Sequence, residues 1–113
     1  MIVERQVRDI LAQYEKHGWS LRRVLLSAVT KGNLSGSLFG QAEIYSSELD
    51  ALWFSRSSFE GREAWELRHL SSAPFALVAV FEAGDGEAVR EEIRQELQTR
   101  LAEQASKPER SKP

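Results

Sequence analysis

The 113-residue chain contains no cysteine, which excludes disulfide frameworks, thiolate zinc sites, iron–sulfur ligation and thiol nucleophiles together. Histidine is nearly as scarce: only His17 and His69 are present, well separated, and with carboxylates alone to join them no metal site is expected. Nor is there an uninterrupted apolar run approaching the roughly 18 residues that a membrane helix needs. The opening Met1-Ile2-Val3-Glu4-Arg5 places charge where a signal peptide would carry its apolar core. A cytoplasmic location without membrane attachment is therefore expected. Positive charge is not in excess either, since the net charge is -2, so the broad attractive field of a nucleic-acid-binding surface is missing. No GxGxxG occurs, and Lys31-Gly32 lacks the two preceding glycines of a phosphate-cradling loop, so no cofactor is expected.

What remains is ordinary globular composition, 42% apolar and 28% charged, in a length suited to one core. A single domain over residues 1–104 is expected, followed by a flexible tail over 105–113, where little can be buried.

Val3, Val7, Ile10, Leu11 and Tyr14 recur at helical spacing, with Glu4/Arg8 and Arg5/Asp9 as four-apart ion pairs, predicting an amphipathic helix over residues 2–17. Gly18 and Trp19 have the composition of a Schellman ending. Residues 19–29 fit either periodicity. A strand is preferred, because a stop at Gly18 leaves little room for a second helix. Residues 30–41 read as a loop with one helical turn at most, and 42–49 as a short helix or an irregular lead-in.

Strand formers then dominate: residues 50–56, 63–70 and 75–81, separated by turns at 57–61 and 71–74, form an antiparallel meander. Asp85 is offered as an N-cap to a last helix whose Val89, Ile93, Leu97 and Leu101 recur every four residues. The acidic surplus of the chain is concentrated there. The expected fold is α+β in the order α-β-loop-β-β-β-α: two layers, an antiparallel sheet of three to four strands, both terminal helices on one face.

Matching apolar residues across the first hairpin pairs Phe54 with Trp65, Leu52 with Leu67 and Asp50 with His69, and the second hairpin then pairs Leu67 with Val78 and Trp65 with Val80. With Val24 and Leu26 these make the face under the helices. The opposite face would carry Leu25, Trp53, Leu70, Phe75, Leu77 and Phe81 beside Arg23, Glu66 and Arg68, too apolar for a solvated surface. Its cover could be the 30–49 segment, a second copy of the chain, or a protein partner.

That surplus supports a non-enzymatic protein-interaction module, self-associating as a homodimer, with Arg23, Leu25, Trp53, Arg68, Phe75 and Leu77 as its interaction surface. Two other classes stay open. Arg22, Arg23, Arg56, Arg62 and Arg68 with Trp53 could serve single-stranded nucleic acid, although alternation sends Arg22 and Arg56 to the face opposite Arg23 and Arg68. His69 beside Asp50 is a weak acid/base pair for a small enzyme or ligand binder, in which the carboxylate would fix the imidazole tautomer and raise its pKa. No nucleophile or oxyanion site accompanies it, and a hydrogen-bonded histidine at a core edge is the commoner occurrence. His17 sits where a helix dipole favours it. Gly32, Gly36 and Gly40 lie among polar residues and read as loop, and Asn33-Leu34-Ser35 as a chance glycosylation sequon.

Overall fold

A computed structural model describes residues 2–71 and 75–106. The chain runs α1 (Glu4–Lys16), β1 (Ser20–Leu26), α2 (Ala28–Asn33), β2 (Glu43–Ser46), β3 (Ala51–Ser57), β4 (Glu63–His69), β5 (Ala76–Phe81) and α3 (Glu87–Ser106), with short 3-10 turns at Gly36–Phe39 and Phe59–Gly61. The strands form one sheet in the order β2-β1-β3-β4-β5, parallel between β1 and β2 and antiparallel elsewhere.

The α+β class holds, with a sheet that is larger than expected and mixed. The additional strand is β2, from the 42–49 segment that promised a short helix or irregular chain. All four of its residues are exposed, so it lacks the alternation that would have marked it. The α2 helix makes the connection that two parallel strands require.

Helix α1 ends as its sequence predicts. Gly18 takes a φ of +87°, its N–H donates to Glu15 C=O, and Trp19 N–H donates to Tyr14 C=O at 3.0 Å. The Trp19 ring meets the edge of Tyr14 at 6.0 Å, supplying the apolar contact of a Schellman motif. Helix α3 starts one residue later than an Asp85 cap would require. The Asp85 carboxylate accepts from Glu82 N–H, and Gly86 C=O takes the first helical bond, from Arg90.

The two terminal helices lie on opposite faces of the sheet, not on one. Val7 of α1, with Ile10, Leu11 and Tyr14, packs on Val24, Leu26, Leu52 and Phe54, joined by Leu34, Leu38 and Phe39 of the loop segment. Leu97, Leu101 and Ile93 of α3 pack on Leu25, Trp53, Trp65, Leu67 and Phe81. The reason is a one-residue difference in register. The pairs are Ser55 with Trp65 and Trp53 with Leu67, then Leu67 with Leu77 and Trp65 with Ala79. A slip of one turns every side chain of β4 to the other face. It puts Trp65 and Leu67 beside Trp53, and α3 is the cover that the second face demanded.

Helix α3 runs on to Ser106, two residues into the expected tail. Residues 72–74 of the turn expected at 71–74, and the rest of the tail, 107–113, lie outside the described residues.

Candidate functional site

The expected interaction surface is not an open face. Leu25 and Trp53 are buried under α3, Trp53 completely, and its indole N–H donates to Gln98 Oε1 at 2.9 Å. Leu77 packs at the margin of the same cluster, and Arg23 pairs with Glu91 of α3 at 2.9 Å. Arg68 belongs to the other face of the sheet, opposite Leu52 and Ala76. Phe75 precedes β5, partly exposed, near the His69 ring.

Asp50 and His69 do line a common cleft of about 420 Å³, together with Ser47, Gln95, Gln98 and Thr99, at one end of the sheet. They do not act on each other as a hydrogen-bonded pair. The Asp50 carboxylate accepts from Ser27 N–H at 2.7 Å and from Ser27 Oγ at 3.2 Å, fastening the start of α2. His69 Nδ1 bonds Ser71 Oγ at 2.9 Å. Burial pushes the His69 pKa below its ordinary value; the Asp50 charge opposes this and the Arg68 charge adds to it. The expected rise in pKa is therefore reversed. Partial desolvation outweighs a carboxylate already committed to Ser27.

The five arginines considered for nucleic acid disperse. Arg56 stacks on Trp19 at 4.6 Å and donates to His17 C=O, Arg62 pairs with Glu82, and Arg68 donates to His69 C=O. Arg22 and Arg23, which simple alternation separates, are the two that converge. Leu21 faces Phe54 and Arg23 faces Trp53, so β1 carries one extra residue there, a β-bulge at Arg22. Bulges re-aim side chains. This one puts both guanidinium groups on the α3 face, against Trp65.

Around Trp65 the guanidinium carbons of Arg94, Arg22 and Arg23 stand 4.1, 4.9 and 5.9 Å from the ring centre. Each contact is worth about 0.5–2 kcal/mol depending on desolvation. The indole N–H donates to Glu63, which Arg90 also binds. Arg94, only 2% exposed, donates to Glu87 and Glu91 at 2.9 Å each, and Arg22 to Ser55 Oγ at 2.9 Å. Glu91 is held at a pKa of about 2, chiefly by its hydrogen bond from Arg23 and further by Gln95 and Arg94, while partial burial works against them. Beside this cluster opens a cleft of about 480 Å³ lined by Arg22, Arg23, Gln41, Trp65, Glu87 and Arg94. Arg94 was not legible in the sequence because an arginine next to the apolar period of Ile93 and Leu97 reads as solvent-facing, whereas it is buried on the sheet side against Trp65 and Phe81.

A second feature lies at the far side of the sheet. On the α1 face the helix covers β1 and β3 but leaves β5 open: Val78 and Val80 are each 55% exposed. The bond from His69 N–H to Phe75 C=O fixes the phase of the ladder. Residues 77, 79 and 81 turn their backbone groups toward β4, so Ala76, Val78 and Val80 present N–H and C=O to the free edge. Among the described residues no strand pairs with that edge.

No protein-family model, curated protein or solved structure matches this chain. Among the described residues, no helix is long and apolar enough to cross a membrane.

Proposed function

We propose that the chain is a protein-interaction module that extends its sheet through β5, and that its first partner is a second copy of itself. The observation that carries this reading is the character of the edge. Ala76-Leu-Val-Ala-Val-Phe81 is six apolar residues with no charge or proline, half-open on one side, with unpaired backbone groups along its outer edge. Edge strands of that kind pair with another chain unless something blocks them. The other edge, β2, is blocked: it is only four residues long and carries Glu43.

Self-complementarity favours a second copy. An antiparallel pairing centred on Val78 sets it against Val78 of the partner subunit, and Ala76 against Val80 of the partner subunit. Leu77 then lies across from Ala79 of the partner subunit on the α3 side. Every cross-strand pair is apolar and no like charges oppose. Burying the open halves of the valines, about 1 kcal/mol each, adds to the backbone bonds, about 1 kcal/mol each. Against the cost of association this supports a dimer with Kd on the order of 10–100 μM. A cytoplasmic setting belongs to this reading and rests on composition alone.

Sedimentation equilibrium across that concentration range tests it. Wild type is expected to show a monomer–dimer equilibrium and Val78→Lys to remain monomeric while melting within about 0.5 kcal/mol of wild type, since the site is exposed. A dimer of undiminished strength in Val78→Lys, or a wild-type monomer at millimolar concentration, would overturn the proposal.

A further inference from the structure

The cluster around Trp65 has an organisation that packing alone does not call for. Its most buried charge, Arg94, has two carboxylates on one terminal nitrogen, while its Nε is buried with no hydrogen-bond partner among the described residues. An unpaired N–H on a buried guanidinium is expensive in a finished structure, but Nε is closed to solvent, so an anion reaches Arg94 at Nη1, where Glu87 sits. Arg22 is exposed to solvent and open to an incoming anion. Its one bond goes to the neutral Ser55 hydroxyl, and among the described residues it has no ion pair. Both arginines line the 480 Å³ cleft, and both are pinned against the same indole.

The carboxylates present do not make a strong competitor for an incoming anion. Glu91 is shared between Arg23 and Arg94 and is firmly ionised. Glu43 lines the cleft and is bonded by the Tyr45 hydroxyl. Glu87 is different: at the first position of α3, its side chain is 71% exposed, and its hold on Arg94 is one bond at the protein surface. The Arg94 side of the pair is 3% exposed, so an empty place would strand a buried charge, but an incoming anion that takes over the bond lets Glu87 turn out to water. It occupies the place of an anion without sealing it.

We infer that the cleft beside Trp65 binds a small phosphate-bearing molecule, its phosphate held by Arg22 and Arg94 in place of the Glu87 carboxylate. A tetrahedral phosphate suits donors supplied by two elements, the bulged β1 and the body of α3, whereas one guanidinium fork would satisfy a planar carboxylate. Trp65 supplies an apolar floor under both guanidinium groups, Arg94 buried and Arg22 exposed, and Gln41 offers polar contact to the rest of the ligand. The volume admits a small organic body along with the phosphate. The acidic rim of Glu43, Glu87 and Glu91, with the net charge of -2, repels a polyanion, so nucleic acid is not the ligand.

The bulge is the device that builds the site. With regular alternation along β1, Arg22 would join Val24 in facing α1, and the cleft would hold one arginine fewer.

The test is an NMR titration of the arginine Nε–H and tryptophan indole N–H signals with inorganic phosphate and then glycerol phosphate. Ionic strength is held constant with sodium chloride, and acetate serves as the planar control. Saturable shifts confined to Arg22, Arg94 and Trp65 are expected, tighter for glycerol phosphate than for phosphate and weakest for acetate. Arg22→Gln, an exposed change that leaves the core intact, should weaken binding about tenfold. Glu87→Gln should tighten it several-fold, because the competing carboxylate is gone. Shifts no larger than those from chloride, or a Glu87→Gln variant that binds more weakly than wild type, would overturn the inference. A purely structural role for the cluster would leave Glu87→Gln without effect on phosphate and is refuted by the tightening. The β5 edge lies on another part of the sheet, so Val78→Lys should leave these shifts unchanged, and either proposal can fail without the other.

Discussion

Replacing Trp53 with alanine separates the observed packing from an open sheet face. The side chain is 0% exposed, meets Trp65 edge-on with ring centres 5.9 Å apart, and is tied by its indole N–H to Gln98 on α3. Truncating a core tryptophan costs about 3–5 kcal/mol through lost transfer energy and the cavity left behind. The edge-to-face pair is worth about 0.5–1.5 kcal/mol beyond area, so a loss of about 4–5 kcal/mol is expected. Domains of this size have about 5–15 kcal/mol to lose. Urea unfolding followed by far-ultraviolet circular dichroism measures the change without relying on the deleted fluorophore. Trp53→Phe, which keeps a ring and drops only the N–H bond and some volume, should lose about 1–2 kcal/mol, which keeps the comparison informative if the alanine variant unfolds. A loss under about 1 kcal/mol for Trp53→Ala would mean that α3 is not seated on this face.

Acid should act through Glu91: its folded pKa, about 2, lies below the ordinary 4.5, so its contribution is complete above the unfolded value and fades as pH falls toward 2. The stability difference between wild type and Glu91→Gln, about 1 kcal/mol after screening by water, should therefore shrink between pH 4.5 and 2, and a difference flat across that range would contradict the pairing. Asp50→Ala should cost about 1–2 kcal/mol by freeing Ser27 N–H, and should lower the His69 pKa further in an NMR titration, since the Asp50 charge is what raises it. An unchanged melting temperature, or an imidazole that titrates higher, would show that Asp50 has another role.

Much of the local structure was legible because it is written in single residues. Gly18 and Trp19 announce the end of α1, and the runs of strand formers set off by turn residues announce β3, β4 and β5. The register was not legible, because Ala51, Leu52, Trp53, Phe54 and Ser55 are all buried. A strand covered on both faces has no period-two signal, and two registers one residue apart then look equally good. The placement of α3 follows from that register, and so does the apparent open face of Trp53. The candidate cleft was hidden for a separate reason. A bulge at a non-glycine residue has no sequence mark, so Arg22 and Arg23 were assigned to opposite faces by a rule that the chain breaks at that point. The open edge of β5 could be suspected from its unbroken apolar run. Which of its residues face outward depends on the register.

Hydrogen exchange along β5 tests the central claim, self-association through this edge, most directly. In the monomer the amides of Leu77, Ala79 and Phe81 point to β4 and should be protected, while those of Ala76, Val78 and Val80 point to the free edge and should exchange rapidly. Raising the protein concentration from about 1 μM to about 1 mM, across the expected dissociation constant, should slow the second set selectively. Amides of Ala76, Val78 and Val80 that exchange at the same rate at both concentrations would contradict it.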